Sequence, residues 1–549
     1  MRELPRRFGR MGRRDALAAL GALAAWPALA ACGDAVPATS PGVTPPPGQS
    51  PHRLSLVLGE PGTLDPALAT TASEATVALA LFEPLVRAGP NGAVTPAVAA
   101  SWDVLDGGRA YALKLREGAK WNDGQRLSAD DFAWAWKRNL DPEVGAAFNY
   151  LLFPIQGAQA YAEGRARTDE GVQVEAIDGT TLRVRLAEPT PGFLARLAHP
   201  VFYPLPRAEI EGSGLAWTDP RNLRSNGALK LVQWDKGLGL TAHRNEHYGG
   251  EPIPFRELVV SFAQDRDARL AAFRSGAADA VEVAGPEYRA ARADDALRAR
   301  LRLFERAGSW FLVANCGKRP WAQADVRRAL SLALDRTALV NEVFDEPVLP
   351  AWSLTPPSIT GREATPGPPD LGGARALLAG AGYPGGAGFP PAKFTYHTSG
   401  VWKRLALALA RQWKEALGII VTPDEREWRD FLAFTEDPGD YDLYRAGWTT
   451  EYRDPVNWFD DLWESKRDAL RAHWVSDAFD GHLVTARRAG TVDARAAAYQ
   501  QASAVLEAEA PAIPIAYRAA AYLLQARVGA FRIDPVSGGV DLTGTVFDA

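Results

Sequence analysis

Residues 96–138 read PAVAASWDVLDGGRAYALKLREGAKWNDGQRLSADDFAWAWKR. Tyr111, Leu113 and Leu115 recur at every second position, the period that sets one face of a half-buried strand against a core. Ser128 stands three residues ahead of Asp131, a capping box in which hydroxyl and carboxylate each satisfy a free backbone N–H at a helix start. Phe132, Trp136 and Leu140 follow on one helical face. The cap explains the Asp130-Asp131 pair without acid–base chemistry.

The same mixture extends in both directions. Leu54, Leu56 and Leu58 alternate, as do Leu182, Val184 and Leu186 after the turn signal Asp178-Gly179. Val326, Ala329, Leu330, Ala333 and Leu334 fit one helical stripe. Trp402, Leu405, Leu409, Trp413 and Ala416 fit another, stopped by Gly418 and followed by the strand-like IIVT of residues 419–422. The pattern is α/β without a repeat. A chain of 549 residues is too long for one hydrophobic core, so two to four structural units are expected. A net charge of -5, with 47% hydrophobic and 23% charged residues, gives an ordinary globular composition and no basic footprint for nucleic acid.

The first 51 residues are of another kind. An arginine-rich start, an alanine/leucine run from Ala16 and small residues up to Cys32 have the layout of an export signal. Leu29-Ala30-Ala31-Cys32 resembles a bacterial lipobox, which makes Cys32 the expected acylated residue and the membrane contact a lipid anchor. Arg13-Arg14 resembles a twin-arginine signal without the usual Phe or Leu, leaving Sec and Tat as alternative routes. Residues 33–51, GDAVPATSPGVTPPPGQSP, read as an extended tether. The one other cysteine, Cys316, is then without a disulfide partner and is expected as a small buried hydrophobe.

Residues 96–138 closely resemble the signature of the extracellular solute-binding proteins of family 5, the oligopeptide and dipeptide receptors of ABC importers. The likeness includes A-x-S-W and the L-R-E-G-x-K-W-x-D-G core. Further blocks agree in order: TLDPALATTASEATVALALFEPLVR from 63, with Pro84 where glycine is usual, and WTDPRNLRSNGALKLVQW from 217, with Leu229 in place of a tyrosine. DVRRALSLALDR from 325, LPAWSLTPP from 349, ARALLAGAGYP from 374, EWRDFL from 427 and YDLYRAGWTTEYRDP from 441 resemble second-lobe and cleft segments. The resemblance covers nearly all of the chain after His52.

It implies a two-lobed α/β fold of the periplasmic-binding-protein type II class, hinged, with an inserted subdomain. Matched blocks place the first lobe at 52–82, 207–306 and 517–549, the subdomain at 83–206 and the second lobe at 307–516. The implied protein is a monomeric receptor of the periplasm or outer face of the cytoplasmic membrane. It would capture oligopeptides between its lobes and deliver them to an ABC permease with its cognate ATPase. No catalytic residue, cofactor or metal is expected.

A receptor for many peptide sequences must hold what all peptides share, the backbone and the charged termini. In the oligopeptide branch the block matching residues 445–452 reads R-A-G-W-x-x-D-Y, and its aspartate pairs with the peptide's α-ammonium group. Glu451 occupies that position, one methylene longer. Gly447, Trp448 and Thr449 belong to the same segment, Trp448 as cleft wall or core and Thr449 where some members carry a cysteine. Arg445 is expected as a structural or orienting cation. His397 and Trp402 map to positions near the ligand's side chains and C-terminus, Trp428 of EWRDFL is retained from its cleft block, Thr70 and Ala72 map to the N-terminal segment, and Thr435 to an arginine position.

Same-family receptors for murein peptides, nickel chelates, haem or oligosaccharides are the alternatives. A secreted hydrolase is a distant one, since neither G-x-S-x-G nor H-E-x-x-H occurs. The 17 tryptophans raise a carbohydrate module, but Trp136 and Trp413 lie at core periods and Trp102 and Trp121 inside family blocks. His243 and His247 have helical metal-pair spacing, yet their context reads as a strand end and loop. Asp460-Asp461 is read as a solvated face.

Overall fold

The computed structural model describes residues 52–547 apart from 264, 363 and 364. The export signal, Cys32 and the tether lie outside the described residues.

Eleven strands form one mixed sheet. In chain order they are β1 (Arg53–Leu58), β2 (Leu229–Asp235), β3 (Gly239–Arg244), β4 (Glu257–Phe262), β5 (Ala280–Glu282), β6 (Leu301–Ala314), β7 (Val348–Pro350), β8 (Ala392–His397), β9 (Val421–Arg426), β10 (Leu443–Thr449) and β11 (Ala512–Leu524). Across the sheet the order is β9-β8-β10-β6-β11-β5-β1-β4-β3-β2, with β7 on β11. The antiparallel pair β6 and β11, 14 and 13 residues long, runs through both halves. Residues 301–305 of β6 pair at the β5 end of β11, and residues 308–314 carry β10. The result is a two-lobed α/β fold with helices packed on the sheet.

Each half has its own cores. Leu54 and Leu56 of β1 join Leu258 and Val260 of β4 in one, while Val57, on the opposite face of β1, joins Leu270 of helix Arg266–Arg274 and Val281 of β5 in another. In the second half the long helix Gly400–Leu417 buries Leu405, Leu409 and Trp413 against β8 and β10, and ends on left-handed Gly418 as its sequence predicts. No helix among the described residues is long and apolar enough to cross a membrane.

The stretch that opens the sequence reading forms a small antiparallel sheet with a helix on it. Ala99–Leu105, Ala110–Leu115, Thr181–Arg185 and Val174–Asp178 are adjacent in that order. Helix Ala129–Leu140 starts on the predicted capping box, with the Ser128 N–H donating to Asp131 at 2.7 Å. Trp136 is buried, its indole N–H donating to the Phe202 carbonyl at 2.8 Å.

The blocks that carry the family resemblance meet at a single carboxylate. Glu83, 3% exposed, accepts from Arg116 at 2.6 Å and from the Tyr248 hydroxyl at 3.1 Å. Asn226 clasps the same residue, accepting from the Glu83 N–H at 3.1 Å and donating to its carbonyl at 3.0 Å. Gly227 follows because a Cβ there would stand 2.5 Å from the Leu81 backbone carbon. Thus LFEP, LREG, SNGA and the turn ending at Tyr248 form one buried junction.

Asp460 departs from the sequence reading. Helix Val456–Trp463 is buried almost all round, so Asp460 is 2% exposed, accepting from Arg487 at 2.6 Å and the Tyr499 hydroxyl at 2.9 Å. Only Asp461 faces outward, paired with Arg467 at 3.1 Å. His243 lies on β3 beside Glu257 at 3.7 Å and His247 in the following turn. Cys316 is partly buried, and burial pushes its thiol up to about 11.

Breaking the junction leaves a buried charge unpaired or forces the backbone apart. Glu83→Ala is expected to cost about 3 kcal/mol, and Gly227→Ala on the order of 1–3 kcal/mol, both measured by denaturant unfolding against wild type.

Candidate functional site

Strand β10 pairs with β6 along its whole length, from Leu443↔Ala314 to Thr449↔Gly308. On its other edge β8 meets it only at Leu443 and Tyr444. From Arg445 to Thr449 that edge pairs with no strand among the described residues. An unpaired edge offers a row of N–H and C=O groups to another extended chain.

Alternation puts Arg445, Gly447 and Thr449 on one face of β10 and Trp448 on the other. Gly447 is required by close approach: a Cβ there would lie 2.2 Å from the Trp310 ring. Trp448 packs against the core of the opposite face, its indole N–H buried without a partner.

Arg445 is 3% exposed. Its Nε and Nη2 approach His397 Nδ1 at 3.2 and 2.9 Å, and no carboxylate among the described residues pairs with it. Four rings surround the guanidinium carbon: Trp402 at 4.9 Å, Phe431 at 5.0 Å, Trp310 at 5.6 Å and Trp428 at 6.0 Å to their centroids. Burial pulls the guanidinium down to about 9, which leaves it charged at neutral pH. Burial, then the Arg445 charge, pulls His397 down to about 4, so its imidazole is neutral and Nδ1 is assigned as the acceptor. Cation–π attraction of about 0.5–2 kcal/mol offsets only part of the cost of burying such a charge.

A second guanidinium lies close by. Arg518 of β11 donates to the Thr449 hydroxyl at 2.6 Å and stands 5.7 Å from the Trp310 ring centroid. Burial pulls it down to about 10, and it too forms no ion pair among the described residues.

Beyond the end of β10, Glu451 is half-buried. Its backbone N–H donates to Asn457 at 2.9 Å, and its carboxylate accepts from the Tyr150 hydroxyl at 2.8 Å. Burial raises its pKa above the usual carboxylate value, opposed by the Tyr150 hydrogen bond and the charge of Arg196, with Asp461 adding to the rise. Arg196 itself lies 4.2 Å from the Tyr452 ring centroid and donates to that hydroxyl at 2.9 Å. Neither arginine near Glu451 in sequence pairs with it: Arg445 turns to His397, and Arg453 donates to the Ser358 carbonyl at 2.9 Å.

The structure therefore gathers Arg445, Gly447, Thr449, His397, Trp402 and Trp428 into one cluster and sets Glu451 at the end of the same strand. Trp402 opens helix Gly400–Leu417 and Trp428 opens helix Trp428–Glu436. Thr70 and Ala72 lie elsewhere, at the start of helix Ala72–Leu81, where the Thr70 N–H and hydroxyl both donate to Glu74. The Thr435 hydroxyl donates to the Leu432 carbonyl. Trp310, Phe431, Arg518, Tyr150 and Arg196 were not singled out by sequence; tertiary packing alone brings them here.

The model of bacterial extracellular solute-binding proteins, family 5, matches residues 93–469. A probable deoxycholate-binding periplasmic protein of Escherichia coli is 34% identical over 86% of this chain and 89% of its own. The periplasmic murein peptide-binding protein MppA of E. coli is 32% identical over 83% and 86%, and the periplasmic oligopeptide-binding protein OppA of E. coli 31% over 85% and 87%. Among solved structures, the unliganded open form of MppA superposes with a TM-score of 0.80 at 29% identity, covering 90% of this chain and 97% of that one. A second structure of E. coli MppA gives 0.56 at 29% identity, covering 90% and 99%.

NMR titration of His397 is expected to give a midpoint near about 4. In Arg445→Met the midpoint is expected to rise toward the ordinary imidazole value of about 6.5, because the opposing charge is gone. A midpoint unmoved by the substitution would show that the two groups are not in contact.

Proposed function

The chain belongs to the bacterial extracellular solute-binding proteins of family 5, and on that premise we propose that it captures oligopeptides for an ABC importer. One observation carries the reading. Among the described residues, the unpaired edge of β10 runs between a half-buried carboxylate, Glu451, and a buried guanidinium, Arg445, that has no carboxylate of its own.

An extended peptide completes this arrangement. Its backbone pairs with the edge from Arg445 to Thr449 whatever its side chains are, which suits many sequences. Its ammonium group meets Glu451 in place of, or beside, the Tyr150 hydroxyl. Its carboxylate end approaches Arg445 and Arg518, with Trp402, Trp428 and His397 forming an aromatic wall. The extra methylene of Glu451 shifts the ammonium toward Tyr150 relative to an aspartate. Thr70 and Ala72 would face the ligand from the first lobe after closure.

The greater likeness to an open form, 0.80 against 0.56, supports an open arrangement for this structure. Closure about β6 and β11 then buries the ligand, driven only by its preference for the closed state. The lobes would be 52–82 with 207–306 and 517–549, and 307–516, with 83–206 inserted. The closed monomer would dock on a membrane permease powered by its ATPase. Cys32 would carry the lipid that holds the receptor at the cell envelope, and capture involves no chemistry on the ligand.

A second reading rests on Arg518. Two guanidiniums without carboxylates suit a ligand with more than one carboxylate, as in the murein peptides that a relative's name records.

Calorimetric titration with tri- to pentapeptides tests the clamp. N-acetylation is expected to weaken binding about 30-fold or more, the cost of leaving one member of a buried charge pair unpaired. Glu451→Gln should lose the same amount and no longer distinguish the two peptides. If the acetylated peptide binds wild type as well as the free amine, Glu451 is not the clamp. Affinity for the free amine should also fall as pH drops through the raised Glu451 pKa, because the protonated acid cannot pair with ammonium, and Glu451→Gln should remove that dependence. Peptides with an added acidic residue that bind tighter only while Arg518 is present would establish the second reading.

A further inference from the structure

A cavity of about 340 Å³ opens where helix Gly285–Ala293 meets helix Arg336–Val343 and strand β7. None of its lining residues belongs to the site on β10. Its walls include Leu301 and Leu303 of β6 with Val340 and Val348, its charged groups are Arg292 and Arg298, and no Asp or Glu lines it. Arg292 donates to the Asn341 side-chain carbonyl at 2.7 Å and lies 5.5 Å from the Tyr288 ring centroid. Among the described residues no carboxylate pairs with Arg292, whereas Arg298 pairs with Asp295. The volume falls in the lower part of the range for small-molecule sites, roughly 300–1,000 Å³.

Both halves of the molecule build this cavity. Tyr288, Leu301 and Leu303 pack in a core of the first, Val340 and Val348 in a core of the second. Beside it, Asp345 accepts from Arg289 at 3.0 Å and from Arg404 at 2.6 Å, and Arg292 reaches Asn341 across the seam. Rotation about β6 and β11 therefore reshapes the cavity, and an occupant that fits it here favours the present arrangement.

We propose that the seam cavity binds a small apolar carboxylate, its chain against the leucine and valine walls and its head group on Arg292 and Arg298, and that occupancy opposes lobe closure. Binding stands apart from the peptide reading; the opposition to closure rests on it.

Calorimetric titration of the full-length protein with octanoate, and with 1-octanol as the uncharged control, tests binding. Saturable one-to-one binding of octanoate is expected, weakened about tenfold or more in Arg292→Ala with Arg298→Ala, the loss of a charge-assisted contact. Val340→Trp, which fills the cavity, should abolish it, and Arg445→Met should leave it unchanged. Thermal melts establish that each variant is folded, and the two kinds of variant fail independently. No saturable binding, equal binding by octanol, binding unchanged in the arginine variant, or loss in Arg445→Met would each overturn the site. With a peptide that binds, saturating octanoate should raise the peptide Kd on the order of fivefold or more, and not in the arginine double variant. An unchanged peptide Kd overturns the coupling alone; absence of any peptide binding is a failure of the peptide reading and leaves octanoate binding measurable by itself.

Discussion

Everything in this molecule hangs on two strands that must cross from one half to the other while remaining hydrogen-bonded. β6 and β11 do so with a break in register: between Glu305↔Ala519 and Ser309↔Tyr517, β6 advances four residues while β11 advances two. Extra residues in one strand bend it and free its backbone groups, and each must find a partner elsewhere. The Ala307 N–H donates to the Pro535 carbonyl at 2.7 Å, the Ala307 carbonyl accepts from both the N–H and hydroxyl of Thr450, and Arg306 donates to the Val536 carbonyl at 2.9 Å. The bend is thus tied to the C-terminal segment and to the end of β10. The same irregularity sets Gly308 beside Thr449 and Arg518, with Trp310 two residues further along the strand. Hinge and proposed binding edge are one piece of local geometry.

Against that scaffold, Arg445 is the costliest group near the edge. A buried guanidinium usually has a carboxylate with two oxygens facing it. Here it has one imidazole nitrogen and four aromatic faces. Removing the charge would relieve desolvation, yet the rings around it are arranged as if to keep it. A site that holds an uncompensated cation in low dielectric is preorganised for an anion, because an arriving carboxylate gains more there than in water. His397 can accept only while neutral, and the shift of its pKa to about 4 secures that state across the ordinary pH range.

Much of the fold was legible in the sequence, because period and caps are local properties. The strands at 53–58, 110–115 and 181–185 and the helices at 129–140 and 400–417 form where alternation, capping box and Gly418 placed them. The IIVT strand begins two residues late, at Val421. The family blocks were legible as a resemblance, but their physical reason was not: Glu83, Arg116, Asn226 and Tyr248 are far apart in sequence and meet only in three dimensions. Asp460 was misread for a related cause. Its helix looks amphipathic alone, and only helices Asp477–Arg488 and Val492–Glu509 reveal the half-buried Arg487 and the buried Tyr499 that receive it. Tyr150 and Arg518 carry no local signature at all.

The two ends of the proposed site differ in how they are built. Arg445 is caged by residues 310–431 of one half, so its own surroundings are complete without lobe movement. Among the described residues the Glu451 carboxylate takes its hydrogen bond from Tyr150, some three hundred residues earlier on the chain, so the acid end depends on how separate parts of the molecule meet. Charge adds an asymmetry of its own. Among the described residues Arg445 and Arg518 form no ion pair with a carboxylate and Glu451 none with a cation, so these three side chains together carry one positive charge in excess. A zwitterionic peptide with neutral side chains brings one charge of each sign and leaves that excess standing. A peptide with one acidic side chain cancels it. In a cleft that closes and excludes water, the uncancelled charge becomes more expensive as closure proceeds. On this reading, ligand charge decides how far the lobes close as much as it decides whether the ligand binds.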